Sequence, residues 1–259
     1  ESAPLFRRDA HAKAHGCLPA TFRVRDDLPE ALHSGVFVPG HEYQAWIRFS
    51  NGNAALQPDG TKDARGMAIK LMGVPGPKLL DSPYEKDALT QDFLMINFPV
   101  FFNRNPQEYE NFIRYQADGS KFGYFFQGRN PLDWKWREVV LGGRLLGRIA
   151  NPLYAQYFSM TAYAMGVEPG PWRLPPPYRH AKSCTPPAPQ APAPKGDDYL
   201  RRNLAQHLAS ADGCFDFLVQ LQDPARNMPI EDPTVKWPES QSAYRPVARI
   251  TIPAQQFDT

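Results

Sequence analysis

The 259-residue sequence predicts an α+β protein built on an antiparallel β-sheet. Short runs rich in β-branched and aromatic residues alternate with Gly, Pro, Asn and Asp, a pattern typical of strands joined by turns. Residues 214–222, CFDFLVQLQ, alternate apolar and polar side chains, as expected for a sheet with one solvent-exposed face. Three other segments space their apolar residues at threes and fours, which is the period of a helix.

The elements can be placed in order along the chain. Strands are expected at residues 22–24, 42–50, 66–74, 92–102, 214–222 and 247–254, and helices at residues 106–116, 133–149 and 197–209. The last helix is the clearest, because Asp197 and Asp198 can cap its first amides and suit the positive end of its dipole. Residues 185–195, TPPAPQAPAPK, can neither extend a helix nor donate along a ladder. We interpret them as a surface loop within one domain, with an interdomain linker or a proline-recognition ligand as alternatives.

Composition excludes several classes of partner. The net charge of +2 comes from interleaved basic and acidic residues, so no nucleic-acid partner is expected. No apolar stretch reaches the roughly 20 residues of a membrane span, and the first residues lack the pattern of a signal peptide. We therefore expect a soluble protein of bacterial type, with the compartment left open between cytoplasm and periplasm. Cys17, Cys184 and Cys214 lack C-x-x-C spacing and are interpreted as structural thiols.

A basic segment near the start is the first candidate for chemistry. Residues 7–16, RRDAHAKAHG, contain two arginines, two histidines and a lysine. On a helix, His11 and His15 would share a face and resemble a metal-binding pair. Gly16 and Pro19 argue against a helix, however, and no third ligand follows at a conventional interval. Taken alone, these residues favour a solvated basic loop over a zinc site.

Four ordered motifs change that interpretation. RRDAHAKAHG is followed by WIRFSNG (46–52), DARGMAIKL (63–71) and INFPVFFNRNP (96–106). In this order and at these spacings, the set resembles the catalase superfamily of haem proteins. Residues 232–252, DPTVKWPESQSAYRPVARITI, are also similar to a strand region of that family, and the resemblance is loosest between about residues 115 and 195. It implies one domain over residues 1–259, formed by a closed antiparallel barrel of about eight strands with helical insertions, and haem b as cofactor.

The resemblance assigns roles to individual residues. His11 takes the place of the distal histidine, the acid and base for peroxide, and Ser50 that of the serine that fixes its tautomer. Arg8 and Arg48 match arginines that pair with the haem propionates, since a guanidinium fork suits a carboxylate.

Further positions follow from the same motifs. Phe101 and Tyr109 match aromatic residues of the distal pocket. Ala10 stands where the allene oxide synthase branch has a threonine, which favours peroxide chemistry here. Asn97 is our candidate for the distal asparagine, although it lies one residue after the matching position, Ile96, and would need a β-bulge to face the haem. Asp63 and Arg65 are expected to form an ion pair that holds their loop.

The iron ligand is the main departure from the family pattern. The family's proximal tyrosinate lies on a helix after the last barrel strands, which would place it beyond Thr259, so the metal ligand is unknown. The expected function is haem-dependent disproportionation or peroxidase action on hydrogen peroxide or organic hydroperoxides, by a monomer or homodimer. The alternatives are a non-catalytic barrel that binds haem or an apolar ligand, and a fatty-acid hydroperoxide-converting enzyme of allene oxide synthase type.

Overall fold

The computed structural model describes residues 8–76, 78, 87–120, 122–165, 181–184 and 196–257. Seven strands and three helices lie in these ranges. The strands are β1 (Ala14–Val24), β2 (Glu42–Asn51), β3 (Arg65–Met72), β4 (Thr90–Ile96), β5 (Ala181–Ser183), β6 (Gly213–Val219) and β7 (Arg245–Ile252). The helices are α1 (Pro106–Ala117), α2 (Trp136–Leu145) and α3 (Tyr199–Leu208).

All seven strands belong to one antiparallel sheet with the order β4-β3-β2-β1-β7-β6-β5. The sheet is strongly curled. In a flat sheet, β4 and β6 would lie about 24 Å apart, at about 4.8 Å per strand step. The ring centroids of Phe93 on β4 and Phe217 on β6 are only 4.8 Å apart, and Phe22 on β1 contacts both. The curl therefore wraps the sheet around an aromatic core.

The two faces of the curled sheet differ in composition because side chains alternate along each strand. The inner face carries the buried core residues of β1 to β4, which are Leu18, Ala20, Phe22, Val24, Tyr43, Ala45, Ile47, Phe49, Met67, Ile69, Leu71, Phe93 and Met95. The outer face carries the intervening residues, among them Cys17, Trp46, Arg48 and Ala68. We use the terms inner face and outer face in this sense below.

The helices have some, but not all, of the local signals that the sequence predicts. The Asn105 side chain accepts a hydrogen bond from the Glu108 amide at the start of α1, where Pro106 takes the first helical position. In α3, Leu200, Leu204 and Leu208 recur every four residues and are all buried. The expected cap of α3 is not observed, because the Asp198 side chain makes no capping hydrogen bond and lies 2.8 Å from Lys13 Nζ instead. None of the helices in the described ranges has the length and apolar character needed to cross a membrane.

The structure corrects several expectations. The α+β class and the antiparallel sheet are confirmed, but the described residues form seven strands with β4 and β5 at the edges, so the closed eight-stranded barrel is not observed among them. The first strand is much longer than residues 22–24, and β4 ends at Ile96 because Pro99 follows. Cys184 and Cys214 form a disulfide, whereas separate thiols were expected. The proline-rich segment 185–195 lies outside the described residues.

Candidate functional site

The N-terminal segment lies over the outer face of the sheet, just before β1 begins. The His11 amide donates to the Gly52 carbonyl at 3.1 Å, and the Asn51 amide donates to the Lys13 carbonyl at 2.9 Å. His11 has a φ of +56°, and among the described residues it is the only non-glycine with a positive φ. Left-handed backbone is costly for a residue with a Cβ and persists where the surroundings impose it. The fold therefore holds His11 in a strained conformation, which is typical of functional sites.

The His11 imidazole is held by β2 and β3. Its Nδ1 lies 3.0 Å from Ser50 Oγ. Gly66, which pairs with Ser50 across β2 and β3, lies beneath the ring, since a Cβ at Gly66 would be 2.5 Å from His11 Nδ1 and 2.8 Å from Ser50 Oγ. Any side chain at Gly66 would displace the imidazole. The glycine is thus a site residue that our sequence reasoning missed, although it lies within the DARGMAIKL motif.

Electrostatics keep the His11 imidazole neutral. Burial lowers the pKa of His11 most, and the positive charge of Arg48 lowers it further, with the smallest contribution from Arg8; Asp63 and a hydrogen bond of the Asn51 backbone act in the opposite direction. A neutral ring has one nitrogen that can accept a proton and one that can donate. With Nδ1 engaged by Ser50, the Nε2 atom is left for chemistry.

The two predicted propionate-binding arginines lie close to His11. The Arg48 guanidinium donates from Nη2 to the His11 carbonyl oxygen at 2.7 Å, an orientation that the positive φ of His11 permits. Arg8 is exposed, and it is near enough to lower the pKa of both His11 and Arg48. Two cations therefore flank the imidazole on the side where the resemblance expects carboxylates.

The outer face beside His11 carries exposed apolar side chains, with the Lys70–Asp92 ion pair in the row of Trp46. Cross-strand pairs align Ser50 with Gly66 and Gly66 with Ile96, and the next outward-facing row aligns Arg48 with Ala68 and Ala68 with Leu94. Leu94 is 56% exposed and Trp46, in the adjacent row, is 46% exposed. Such exposed apolar side chains beside a neutral histidine and an arginine are suited to a flat, largely apolar ligand with anionic groups at its edge.

Asn97 occupies a different position from the one that the resemblance implies. The β3–β4 ladder is regular up to the Gly66–Ile96 pair, with no bulge. Ile96 therefore shares the face of His11. Asn97 instead makes two hydrogen bonds with the backbone of Arg65. The Asn97 amide donates to the Arg65 carbonyl at 2.9 Å, and Asn97 Oδ1 accepts from the Arg65 amide at 2.7 Å. The catalytic role of Asn97 remains a prediction, and this geometry favours an anchoring role.

The remaining predicted residues are placed as follows. Ala10 is exposed immediately before His11. Phe101 is half-buried and its ring centroid lies 5.4 Å from that of Tyr109, which is 38% exposed at the start of α1. The two rings pack against each other as an aromatic pair. Their contact with a ligand in the distal pocket remains a prediction.

A cluster of largely buried polar side chains also supports the N-terminal segment. We call Lys13, His15, Asn51, Asp59 and Arg65 the N-terminal anchor. Lys13 Nζ lies 2.8 Å from Asp59 Oδ1, His15 Nε2 lies 2.8 Å from Asn51 Oδ1, and the Arg65 guanidinium donates to that same oxygen. Asp59 also accepts from the first turn of α3, so the anchor ties the His11 segment to a helix far along the chain.

One expectation about these residues is wrong. Asp63 and Arg65 do not pair: Asp63 accepts from the amides of Gly52 and Asn53, while Arg65 binds the carbonyls of Asp59 and Thr61. The pair does not form because both side chains have other partners between residues 51 and 61. At a register change in β1 between Ala14 and Gly16, His15 is buried and shares Asn51 Oδ1 with the Arg65 guanidinium. His11 and His15 consequently point to different surroundings. Among the described residues, no three His, Cys, Asp or Glu side chains come together as a metal site.

Comparisons with known proteins identify a matching family model and similar folds. Residues 5–124 match the sequence model of the catalase family. The fold is similar to a fungal catalase (19% identity, TM-score 0.69), catalase A from Saccharomyces cerevisiae (20%, 0.70) and a bacterial catalase (18%, 0.69). Each comparison covers 98% of this chain but 51%, 53% and 50% of the respective catalase, so the chain spans about half their length. No curated protein sequence matches the chain.

Proposed function

Because residues 5–124 match the catalase family model and the fold is similar to that of catalases, we propose that the chain forms one face of a haem-dependent enzyme that metabolises hydroperoxides. The substrate class is hydrogen peroxide or a small organic hydroperoxide. The observation that carries the proposal is the arrangement of His11, a neutral imidazole held by Ser50 and seated on Gly66.

The residues present fit a haem on the outer face. Gly66 leaves the face beneath the imidazole without a side chain, and Ala68 and Leu94 continue an apolar surface along it. Arg48 and Arg8 would hold the propionates, and their charges already act on His11. When bound there, haem would supply the iron centre that exchanges electrons with the peroxide bond.

The chain itself contributes proton transfer. A neutral His11 can take the proton from one peroxide oxygen through Nε2 and return it to the other as the O–O bond breaks. Ser50 Oγ, 3.0 Å from Nδ1, keeps the ring from rotating during this exchange. The positive charges of Arg48 and Arg8 oppose a permanently protonated ring, so the base is regenerated after each transfer.

The test compares His11→Asn with the wild-type protein. Asparagine tolerates the left-handed backbone of position 11 but cannot act as a general base. We expect haem content, measured by Soret absorbance, to persist, while oxygen evolution from peroxide falls at least about 100-fold. The matched control is His41→Gln, an exposed histidine whose ring contacts Tyr43 on β2.

Two results would overturn the proposal. A His11→Asn variant that retains the wild-type rate removes the assigned role. A wild-type protein that binds haem but is inert to hydrogen peroxide and to organic hydroperoxides supports the alternative of a non-catalytic haem-binding domain.

A further inference from the structure

A buried tyrosine outside the candidate site is positioned to lose a proton and an electron together. Tyr124 has no exposed surface, and its hydroxyl donates to Glu108 Oε2 at 2.8 Å. The same hydroxyl accepts from Asn103 Nδ2 at 2.7 Å. Lys135 forms an ion pair with Glu108, and its Nζ lies 4.6 Å from the centroid of the Tyr124 ring. The buried phenol therefore has a fixed carboxylate acceptor whose own side chain is 30% exposed.

The protonation states of this pair suit such a step. Burial and the Glu108 carboxylate raise the pKa of Tyr124, so the phenol keeps its proton. The hydrogen bond from Lys135 lowers the pKa of Glu108, so the carboxylate is ionised and ready to accept. Removing one electron from a phenol makes its O–H strongly acidic. An acceptor within hydrogen-bond distance lets the proton leave with the electron.

A continuous series of aromatic rings passes through Tyr124. In one direction, towards Phe101, centroid distances are 5.5 Å from Tyr124 to Phe112, 4.8 Å from Phe112 to Phe102 and 5.0 Å from Phe102 to Phe101. Towards the surface, they are 5.1 Å from Tyr124 to Phe125, 6.5 Å from Phe125 to Phe126, and 5.1 Å from Phe126 to Trp134. These are contact distances for aromatic pairs, so no gap interrupts the series.

The series ends at a pair of tryptophans, of which one is half-buried and the other exposed. Trp134 and Trp136 have centroids 5.3 Å apart, and Trp136 is 51% exposed. The indole N–H of Trp136 donates to the Pro131 carbonyl at 2.9 Å, which fixes the ring at the surface. The neighbouring Phe126 is also exposed. The pair offers a rigid aromatic surface on which another ring can stack.

We propose that Tyr124 is a redox-active tyrosine that exchanges single electrons with the Trp134–Trp136 pair, so that the protein oxidises aromatic donors of the phenol or aniline class at this surface. The inference rests on the proposed function for its oxidant, a hydroperoxide. When Tyr124 loses one electron, its O–H bond breaks and the proton passes to Glu108 Oε2. An electron from the donor then arrives through the tryptophan pair, and the proton returns. Two such cycles reduce one hydroperoxide and convert two phenols to two phenoxyl radicals. An organic hydroperoxide yields an alcohol and one water molecule, and hydrogen peroxide yields two water molecules.

The test needs no haem, so its outcome is independent of the proposed function. Azide radicals generated by pulse radiolysis oxidise exposed tryptophans, and absorbance follows the decay of the tryptophan radical and the growth of a tyrosyl radical. Trp46 and Trp172 are first replaced by phenylalanine, which leaves Trp134 and Trp136 as the main exposed targets. We expect a first-order transfer whose rate does not depend on protein concentration.

Variants assign that transfer to Tyr124. Tyr124→Phe should reduce its amplitude at least tenfold, and Glu108→Gln should slow it several-fold and abolish its dependence on heavy water. Tyr43→Phe is the matched control, because Tyr43 is also buried but packs against Phe22, outside the ring series. Circular dichroism verifies folding. An unchanged transfer in Tyr124→Phe overturns the inference, and so does a transfer that persists when Trp134 and Trp136 are both phenylalanine.

Discussion

His15 provides a quantitative prediction about stability and pH. The ring is 1% exposed, and its Nε2 donates to Asn51 Oδ1, because that oxygen also accepts from Arg65 and cannot donate. The other nitrogen, Nδ1, has no hydrogen-bond partner and lies 3.9 Å from Asp59 Oδ1. The perturbation is His15→Gln, which retains a donor for Asn51 and removes the titrating ring.

The magnitude follows from the pKa of the buried ring. Burial lowers the pKa of His15 from 6.5 to about 4, despite the opposing effect of Asp59. Below pH 6.5 the unfolded chain therefore takes up a proton that the folded protein excludes until about pH 4. Stability is complete above pH 6.5 and is lost as the pH falls through this window. Between pH 7.5 and pH 5, the loss at His15 amounts to about 2 kcal/mol.

Urea unfolding at several pH values measures this contribution. The wild-type free energy of unfolding should decline by about 2 kcal/mol more than that of His15→Gln between pH 7.5 and pH 5. His41→Gln, at an exposed histidine, should follow the wild-type curve. If wild type and His15→Gln lose stability in parallel over this range, the ring is not held neutral in the folded state and the reasoning fails.

Three further outcomes can be measured. Gly66→Ala should reduce peroxide turnover because its Cβ displaces the His11 ring, and it should cost only about 1–3 kcal/mol of stability. The control is Gly60→Ala, which should change neither turnover nor stability because no atom lies within 4 Å of its new Cβ. Asp59→Asn should cost about 3–5 kcal/mol in urea unfolding, because it leaves Lys13 without its buried partner; a change below about 1 kcal/mol would contradict the anchor. Phe217→Ala should cost about 3–5 kcal/mol, since its fully buried ring joins distant strands, and a neutral result would contradict the curled core.

Much of the site could be predicted from local motifs. The His11, Ser50 and Arg48 positions were all assigned from short segments, and the structure brings them together. The sheet class and the helix that begins at Pro106 also followed from the spacing of apolar residues. The closed barrel came from the resemblance alone and is not observed among the described residues. The Asp63–Arg65 pair failed because both side chains found backbone partners in a neighbouring loop.

The sequence by itself determined where most strands form, because apolar alternation and turn residues act over a few positions, but it did not predict β5 or the length of β1. It also determined that a histidine, a serine and arginines occur at the spacing of a known site. Only the tertiary structure decided that His15 is buried, that Gly66 lies under His11 and that Ile96 rather than Asn97 shares the face of that histidine. Those outcomes depend on strand register and on one irregularity in β1, which are set by pairing with distant strands.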